Sequence, residues 1–298
     1  MRSSILLGAV LPFAQAIRII QSNDDGWAEA NARTFFDALD SAGHDVVLSA
    51  PAENQSGTGS SDATPTQVGS SGCEFSSCPG GSPPTGANAT DPRLNYVNSY
   101  PVTSIKNGID VTGPKLWNGA KPELAVSGPN VGSNVGPGGL FSGTIGAATY
   151  AAHTAKIPAI AFSGRTGDPA AWNQPTPKYS KVYADLALNL TTTLIDSGAP
   201  YLPDDVFLNV NFGEVSDSTC HDASQFKFIF TRVNTGLLSA RDTEWCGATR
   251  LPWEVDVIYL RGGCYVTVSA GDASDKSTTD AARQKVVLDK LKPLISCL

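Results

Sequence analysis

Histidine and methionine are nearly missing, with three His and one Met in 298 residues, which leaves little room for imidazole-based catalysis. Charged residues make up only 16% of the chain, too few for a disordered charged tail. Basic residues are the scarcer sign, 21 Lys and Arg against 28 Asp and Glu, for a formal net charge of −7. A surface of that sign repels polyanions and anionic lipid, so neither a nucleic-acid polymer nor a membrane is an expected partner. Beyond the amino terminus no run approaches the ~20 apolar residues needed to span a bilayer. No serine has the Gly-x-Ser-x-Gly flanks of an esterase elbow. No Cys-x-x-Cys pair or neighbouring His offers a zinc site. The aspartates are adjacent rather than spaced as Asp-x-Asp, so the haloacid-dehalogenase pattern also fails, and no internal repeat is present.

The amino terminus has the form of a targeting segment. Met1-Arg2 is a short positive start, residues 5–13 are apolar, and Ala14-Gln15-Ala16 has the small-x-small form of a cleavage site. The expectation is a signal peptide over 1–16 and a secreted chain over 17–298. The six cysteines, at 73, 78, 220, 246, 264 and 297, agree with an oxidising compartment. Fifteen pairings are possible, and spacing favours only Cys73 with Cys78. Sequons lie at Asn54, Asn88 and Asn189. The last two read as surface sites, while the first sits inside a motif that could hide it.

Hydrophobic runs and punctuation alternate between strand and helix. Residues 17–22 and 45–50 read as strands on either side of a helix over 28–42 that stops at Gly43. A β-α-β unit of this kind implies parallel strands. Residues 55–86, rich in Gly, Ser, Pro and Thr, read as a long excursion, with an insertion around 67–93. Residues 96–109 hold a strand and a short helix. Strands follow over 123–127 and 157–163, and helices over 143–155 and 178–197. Residues 206–210, 226–233 and 255–260 carry strand signals, and 280–294 closes as a helix. The pattern reads as one α/β domain with a mostly parallel sheet and a carboxy-terminal mixed β extension.

Four polar constellations fall on strand-to-helix loops, which a doubly wound sheet gathers at one rim. Asn23-Asp24-Asp25-Gly26 ends the first strand. Adjacent carboxylates repel, and a divalent cation keeps both ionised; read alone, the tetrapeptide is equally a turn with Asp capping the next helix. Gln55-Ser56-Gly57-Thr58-Gly59 offers a hydroxyl for a hard cation and open backbone amides. Asn130 and Asn134 lie among glycines after a buried strand. Ser142-Gly143-Thr144 opens an alanine-rich helix, where free N–H groups favour a phosphate unless Ser142 or Thr144 is simply a helix cap. The set supplies oxygen ligands for one divalent cation, Mg²⁺ or Mn²⁺, and an anion pocket, which suits phosphoester hydrolysis.

SNDDGW (Ser22 to Trp27), SAPAENQSGTGSS (Ser49 to Ser61), SGPNVGSNVG (Ser127 to Gly136) and SGTIGAA (Ser142 to Ala148), in this order and spacing, resemble the SurE-type survival-protein phosphatases/nucleotidases. Weaker similarity continues through LNVNF (Leu208 to Phe212) and Asp256 to Val268, and the secreted form resembles the fungal branch. The resemblance implies an α/β fold with a Rossmann-like three-layer core, a mostly parallel sheet and a carboxy-terminal β-rich extension. It also implies a metal-dependent phosphomonoesterase acting on small substrates such as nucleoside monophosphates, and a homodimer through carboxy-terminal elements. It carries the metal ligands to Asp24, Asp25, Ser56 and Asn130. The phosphate pocket falls on Asn134, Ser142, Gly143 and Thr144, and the catalytic carboxylates are Asp24 and Asp25. Ala28-Glu29-Ala30 and Ser99-Tyr100-Pro101 depart from the family's Ala-Pro-Gly and Gly-Thr-Pro, and the Cys73/Cys78 insertion is additional.

In the expected mechanism one of the two aspartates accepts a proton from a metal-polarised water, with the base left open between them. The alternative is a secreted glycoprotein without activity, binding a sugar or a protein on the same rim. His153 reads as an ordinary helical residue, His44 and His221 as surface loop residues, and Trp27 as packing, with nucleobase stacking the other reading.

Overall fold

The computed structural model describes residues 16–298 except residue 238, so the expected signal peptide, apart from Ala16, lies outside the described residues. Ten strands form one mixed sheet: β1 (Arg18–Ser22), β2 (Asp45–Pro51), β3 (Thr85–Ala87), β4 (Leu94–Val97), β5 (Leu124–Val131), β6 (Ala159–Gly164), β7 (Val206–Phe212), β8 (Lys227–Thr231), β9 (Tyr265–Asp272) and β10 (Ile295–Ser296). Their order is β10-β8-β9-β7-β6-β5-β1-β2-β4-β3. The six from β4 to β7 run parallel, β9 is antiparallel to β7, and β8 and β10 follow the direction of β9. The expected β-rich extension is therefore a continuation of the same sheet.

Six helices cover the two faces: α1 (Ala30–Ser41), α2 (Pro101–Asn107), α3 (Gly113–Leu116), α4 (Gly143–Thr149), α5 (Lys178–Asp196) and α6 (Ala281–Leu291). Phe35 and Leu39 of α1, Leu186 and Leu190 of α5 and Val287 of α6 pack on one face of the sheet. Ile105 of α2 and Ile145 and Ala148 of α4 pack on the other. The α1 pattern ends where Gly43, at φ +90°, takes the left-handed conformation and its N–H reaches the Asp40 carbonyl at 2.9 Å. Its start is capped by Glu29, whose carboxylate accepts from the N–H groups of Asn31 and Ala32, and not by an aspartate of the preceding turn.

Three expectations need correction. Residues 255–260, whose β-branched and aromatic content reads as strand, are helical at Asp256–Leu260. Trp253 pairs with Arg232 at the edge of the sheet and the chain then turns, so tertiary placement overrides local propensity. His44 is buried, not on the surface, with no partner for its Nδ1. β5 does not stop at Ser127. It runs on to Val131 with a register shift between Ser127 and Asn130, around Gly128 at φ +102°. A Cβ on Gly128 would lie 2.2 Å from the Phe162 carbonyl oxygen, so only glycine fits where the strand bulges.

All six cysteines are paired: Cys73–Cys78 as expected, with Cys220–Cys264 and Cys246–Cys297 beside it. The last spans 51 residues and ties the end of β10, which pairs with β8, to the segment around Trp245 that follows β8. Replacing both members by serine is expected to lower the unfolding free energy by about 2–4 kcal/mol in urea titrations. An unchanged midpoint would show that the carboxy-terminal strand is held by its sheet contacts alone.

Candidate active site

In a parallel sheet the crevice forms where strand order reverses. Here β1 has β2 on one side and β5 on the other, so the reversal falls between β1 and β5. Asp24 and Asp25 leave β1 at that point, each 2% exposed. Asp24 turns toward α4: Thr144 donates to it from its hydroxyl at 2.5 Å and from its backbone N–H at 3.1 Å. Asp25 turns the other way and accepts from the Val131 N–H at 2.7 Å. Its other oxygen faces the Asn54 amide at 3.4 Å and the Ser56 hydroxyl at 3.5 Å. The loop carrying Ser56 is pinned at both ends, by Gln55 N–H on the Asp24 carbonyl at 2.7 Å and Gly59 N–H on the Phe141 carbonyl at 2.9 Å.

The bulge in β5 sets Asn130. Its amide donates to the Gly132 carbonyl at 2.6 Å and the Val131 carbonyl at 3.2 Å, which leaves its Oδ1 buried without a donor. Of the four residues chosen from the sequence, Asp25 and Ser56 are in contact, Asn130 precedes the Val131 whose N–H Asp25 accepts, and Asp24, next to Asp25 in the chain, is turned toward α4. Among the described residues no three His, Cys, Asp or Glu side chains form a metal cage. The donor set instead mixes carboxylate, hydroxyl and amide oxygens. An orphaned buried amide oxygen beside two buried carboxylates fits a hard divalent cation.

The expected phosphate residues divide. At the α4 start the anion is the Asp24 carboxylate itself, which occupies the Thr144 donors. Ser142 is the helix cap, its hydroxyl accepting from the Ile145 N–H at 3.1 Å. Gly143 has no room for a side chain, because a Cβ there would lie 2.8 Å from the Asp24 Cβ. Asn134 stands apart in the glycine-rich segment, donating from its amide to the Ser163 hydroxyl at 2.8 Å. Asn54 is exposed rather than hidden, and Trp27 is packing: it is buried, its Nε1 donates to Ser77, and its ring tilts on Tyr96. His153 is exposed on the turn after α4 and pairs with Asp205. Two cavities of about 460 and 490 Å³ are lined by other residues, Asp62 and Lys106 in one and Arg250 and Arg261 in the other.

Sequence reasoning missed three carboxylates. Glu74, carried by the Cys73–Cys78 loop, reaches over Gly26, where a Cβ would lie 2.1 Å from its Oε1. Glu29 is buried at the cap of α1. Glu254, 0% exposed, meets the glycine-rich segment from the far half of the chain. The site is consequently short of positive charge. Burial holds the Asp24 carboxyl above its usual range. Burial, then Asp24, and then Glu29 and Glu74 push Asp25 higher still. Burial raises Glu29 to about 7, and burial with Glu29 raises Glu74 to about 8.

Residues 19–236 match the family described as Survival protein SurE. The chain belongs to the SurE family. It is 36% identical over 284 residues to an acid phosphatase of Yarrowia lipolytica, a match covering 84% of this chain and 78% of that one. A 5'-nucleotidase SurE of Desulfovibrio desulfuricans is 35% identical over 147 residues, so the chain spans about half the length of that relative, 49%. The SurE protein of Aquifex aeolicus has the same fold, with a TM-score of 0.56 over 91% of this chain and 98% of its own, at 22% identity. SurE membership covers all four rim motifs, and Glu254 lies beyond the matched segment.

The raised carboxyls fix the direction of a pH effect. Folded, Glu29 and Glu254 keep their protons to about pH 7, whereas unfolded carboxyls release them near 4.5. Their contribution to stability is complete below the unfolded value and is lost as pH rises through the folded one. In EDTA the melting temperature is expected to fall between about pH 5 and pH 7.5, and Glu29→Gln to reduce that fall. A melting temperature that climbs across the window contradicts the assignment.

Proposed function

We propose that this SurE-family chain, a phosphoric monoester hydrolase, cleaves small phosphomonoesters, nucleoside monophosphates among them, at the crevice between β1 and β5. The observation that carries the reading is the pairing of two buried adjacent carboxylates with an unpartnered Asn130 amide oxygen and the Ser56 hydroxyl. The relatives' names, acid phosphatase and 5'-nucleotidase, support the substrate class.

Asp24, Asp25, Ser56 and Asn130 would hold one divalent cation, Mg²⁺ or Mn²⁺. When bound, it supplies charge neutralisation at the phosphoryl group and a lower pKa for an attacking water. Asp24 or Asp25 would accept the proton that the water loses as its oxygen bonds to phosphorus, while the ester P–O bond breaks and the departing oxygen takes a proton from solvent to leave as the alcohol. The Thr144 contacts hold the Asp24 carboxylate in one orientation, and the Val131 N–H does the same for Asp25. In this reading Asn134 and the glycine-rich segment form the phosphate side of the crevice, offering neutral groups to the equatorial oxygens, while at the α4 start Ser142 caps the helix, Thr144 holds Asp24 and Gly143 leaves Asp24 its space. The Ser133 hydroxyl, buried and unpartnered, adds a donor there.

Secretion and a homodimer through the carboxy-terminal elements belong to the same proposal. Three disulfides suit an oxidising compartment, and Asn189 is exposed for a glycan. Among the described residues no helix is long and apolar enough to cross a membrane.

The test is phosphate release from a panel of phosphomonoesters with Mg²⁺, Mn²⁺ or EDTA. Asp25→Asn is expected to lower kcat/KM by about 10²–10⁴-fold. It is also expected to abolish the rise in melting temperature that the cation produces in the parent protein. Turnover that survives EDTA, or an undiminished Asp25→Asn, removes the mechanism.

A further inference from the structure

Asn134 is held by residues far away in sequence. Its N–H donates to the Asn211 side chain at 2.8 Å, and its carbonyl accepts from the amides of Asn209 at 2.8 Å and Asn211 at 3.2 Å. Both asparagines lie on β7 and both are 0% exposed. The Asn209 amide also lies 3.2 and 3.1 Å from the two carboxylate oxygens of Glu254. Glu254 in turn accepts from the Gly136 N–H at 2.7 Å and from the Ser269 hydroxyl at 2.7 Å. Gly136 sits against Trp253 and Val255, where a Cβ would lie 3.0 Å from the Val255 Cγ2. The whole stretch from Asn134 to Gly136 is therefore clasped from the carboxy-terminal half of the chain.

We propose that Glu254 is a positioning residue for the phosphate-binding segment: it fixes Gly136 directly and Asn134 through Asn209. This rests on the assignment of Asn134 to the phosphate side of the crevice. A buried carboxylate is costly unless its oxygens are fully donated to, and here each has its donor. No charged side chain contributes. The groups facing Glu254 are the Gly136 N–H, the Asn209 amide on β7 and the Ser269 hydroxyl on β9, with Thr231 of β8 behind Ser269 at 2.7 Å. Burial accordingly raises its carboxyl to about 7.

The Ser269–Thr231 hydroxyl pair makes the role separable from charge. With a carboxylate at 254, Ser269 donates to it. With a neutral amide, Ser269 accepts from the amide nitrogen and turns its own hydrogen toward Thr231, while the remaining carbonyl oxygen still accepts from Gly136. Glutamine should therefore preserve the clasp, and leucine, similar in bulk but without an acceptor, should release it.

The experiment measures inorganic phosphate as a competitive inhibitor, and KM and kcat for p-nitrophenyl phosphate, with Mg²⁺ present. Glu254→Leu is expected to weaken phosphate inhibition and raise KM together by about tenfold, with a smaller change in kcat. Glu254→Gln is expected to stay within about threefold of the parent in both. If the leucine variant does not fold, Asn209→Ala, which cuts the link between Glu254 and Asn134, carries the same expected rise. Unaltered phosphate inhibition in Glu254→Leu or in Asn209→Ala, or equal losses with glutamine and leucine, overturns the positioning role alone. A parent protein that phosphate does not inhibit overturns the phosphate-site assignment, and the positioning role with it.

Discussion

Everything at the rim depends on how two adjacent aspartates are kept apart. Buried like charges repel, and a strand end that buries both must send them in different directions or supply a cation. Asp24 goes to α4, where Thr144 offers a hydroxyl and an amide. Asp25 goes to the Val131 amide and the Asn54–Ser56 loop. Each carboxylate thereby ties a separate element to the end of β1. The helix start, the bulged end of β5 and the loop after β2 are thus all tied to the end of β1 by these two carboxylates. The bulge at Gly128 is part of the same constraint, since it lets β5 run past Ser127 and present the Val131 N–H.

The neutral donors follow from the charge. A chain with a net charge of −7 that gathers Asp24, Asp25, Glu29 and Glu74 around one turn cannot attract a phosphate dianion by its own field. Two physical remedies are available, and both are visible. Burial keeps protons on Glu29 and Glu74 to about 7 and 8, which removes negative charge locally. The groups along the glycine-rich segment and the α4 start are amides and hydroxyls, which can bind oxygen without adding charge. What these cannot provide is compensation for Asp24 and Asp25 themselves, which is the charge that the proposed divalent cation would neutralise.

Much of this was readable along the chain, and the failures share one cause. β1, α1 and β2 announce themselves because their signals are local: an apolar run, helical spacing of Phe35, Phe36 and Leu39, and a glycine at the stop. Asp24, Asp25, Ser56 and Asn130 stand out in the sequence for the same reason, each falling at or just beyond the end of an apolar run. Residues whose role depends on a distant partner were not. Glu29 looks like an exposed helix residue until Ala170 and Asn31 surround it. His44 follows a glycine turn and looks solvated, yet it is buried. Residues 255–260 carry strand-forming side chains, but the preceding Trp253 and Glu254 are committed to Arg232 and Gly136, so the chain must turn. The helix-start motif was ambiguous for a related reason. Its sequence fits a phosphate or a cap, and only the position of Asp24 shows which anion takes the Thr144 donors.

The sheet itself explains why the carboxy-terminal half matters to a site formed almost entirely by the amino-terminal half. β7 is the last parallel strand and β9 pairs with it antiparallel, so Asn209 and Ser269 face each other in register. β8 then runs beside β9 and sets Thr231 opposite Ser269. Polar side chains at three successive strands would be unsatisfied in a sheet interior unless something accepted from them. Glu254 is that acceptor, and its remaining capacity is spent on Gly136, at the foot of the glycine-rich segment. The polar ladder of the extension and the glycine-rich loop at the rim are thus one hydrogen-bonded unit. Neither can be repacked without leaving a buried donor or acceptor in the other.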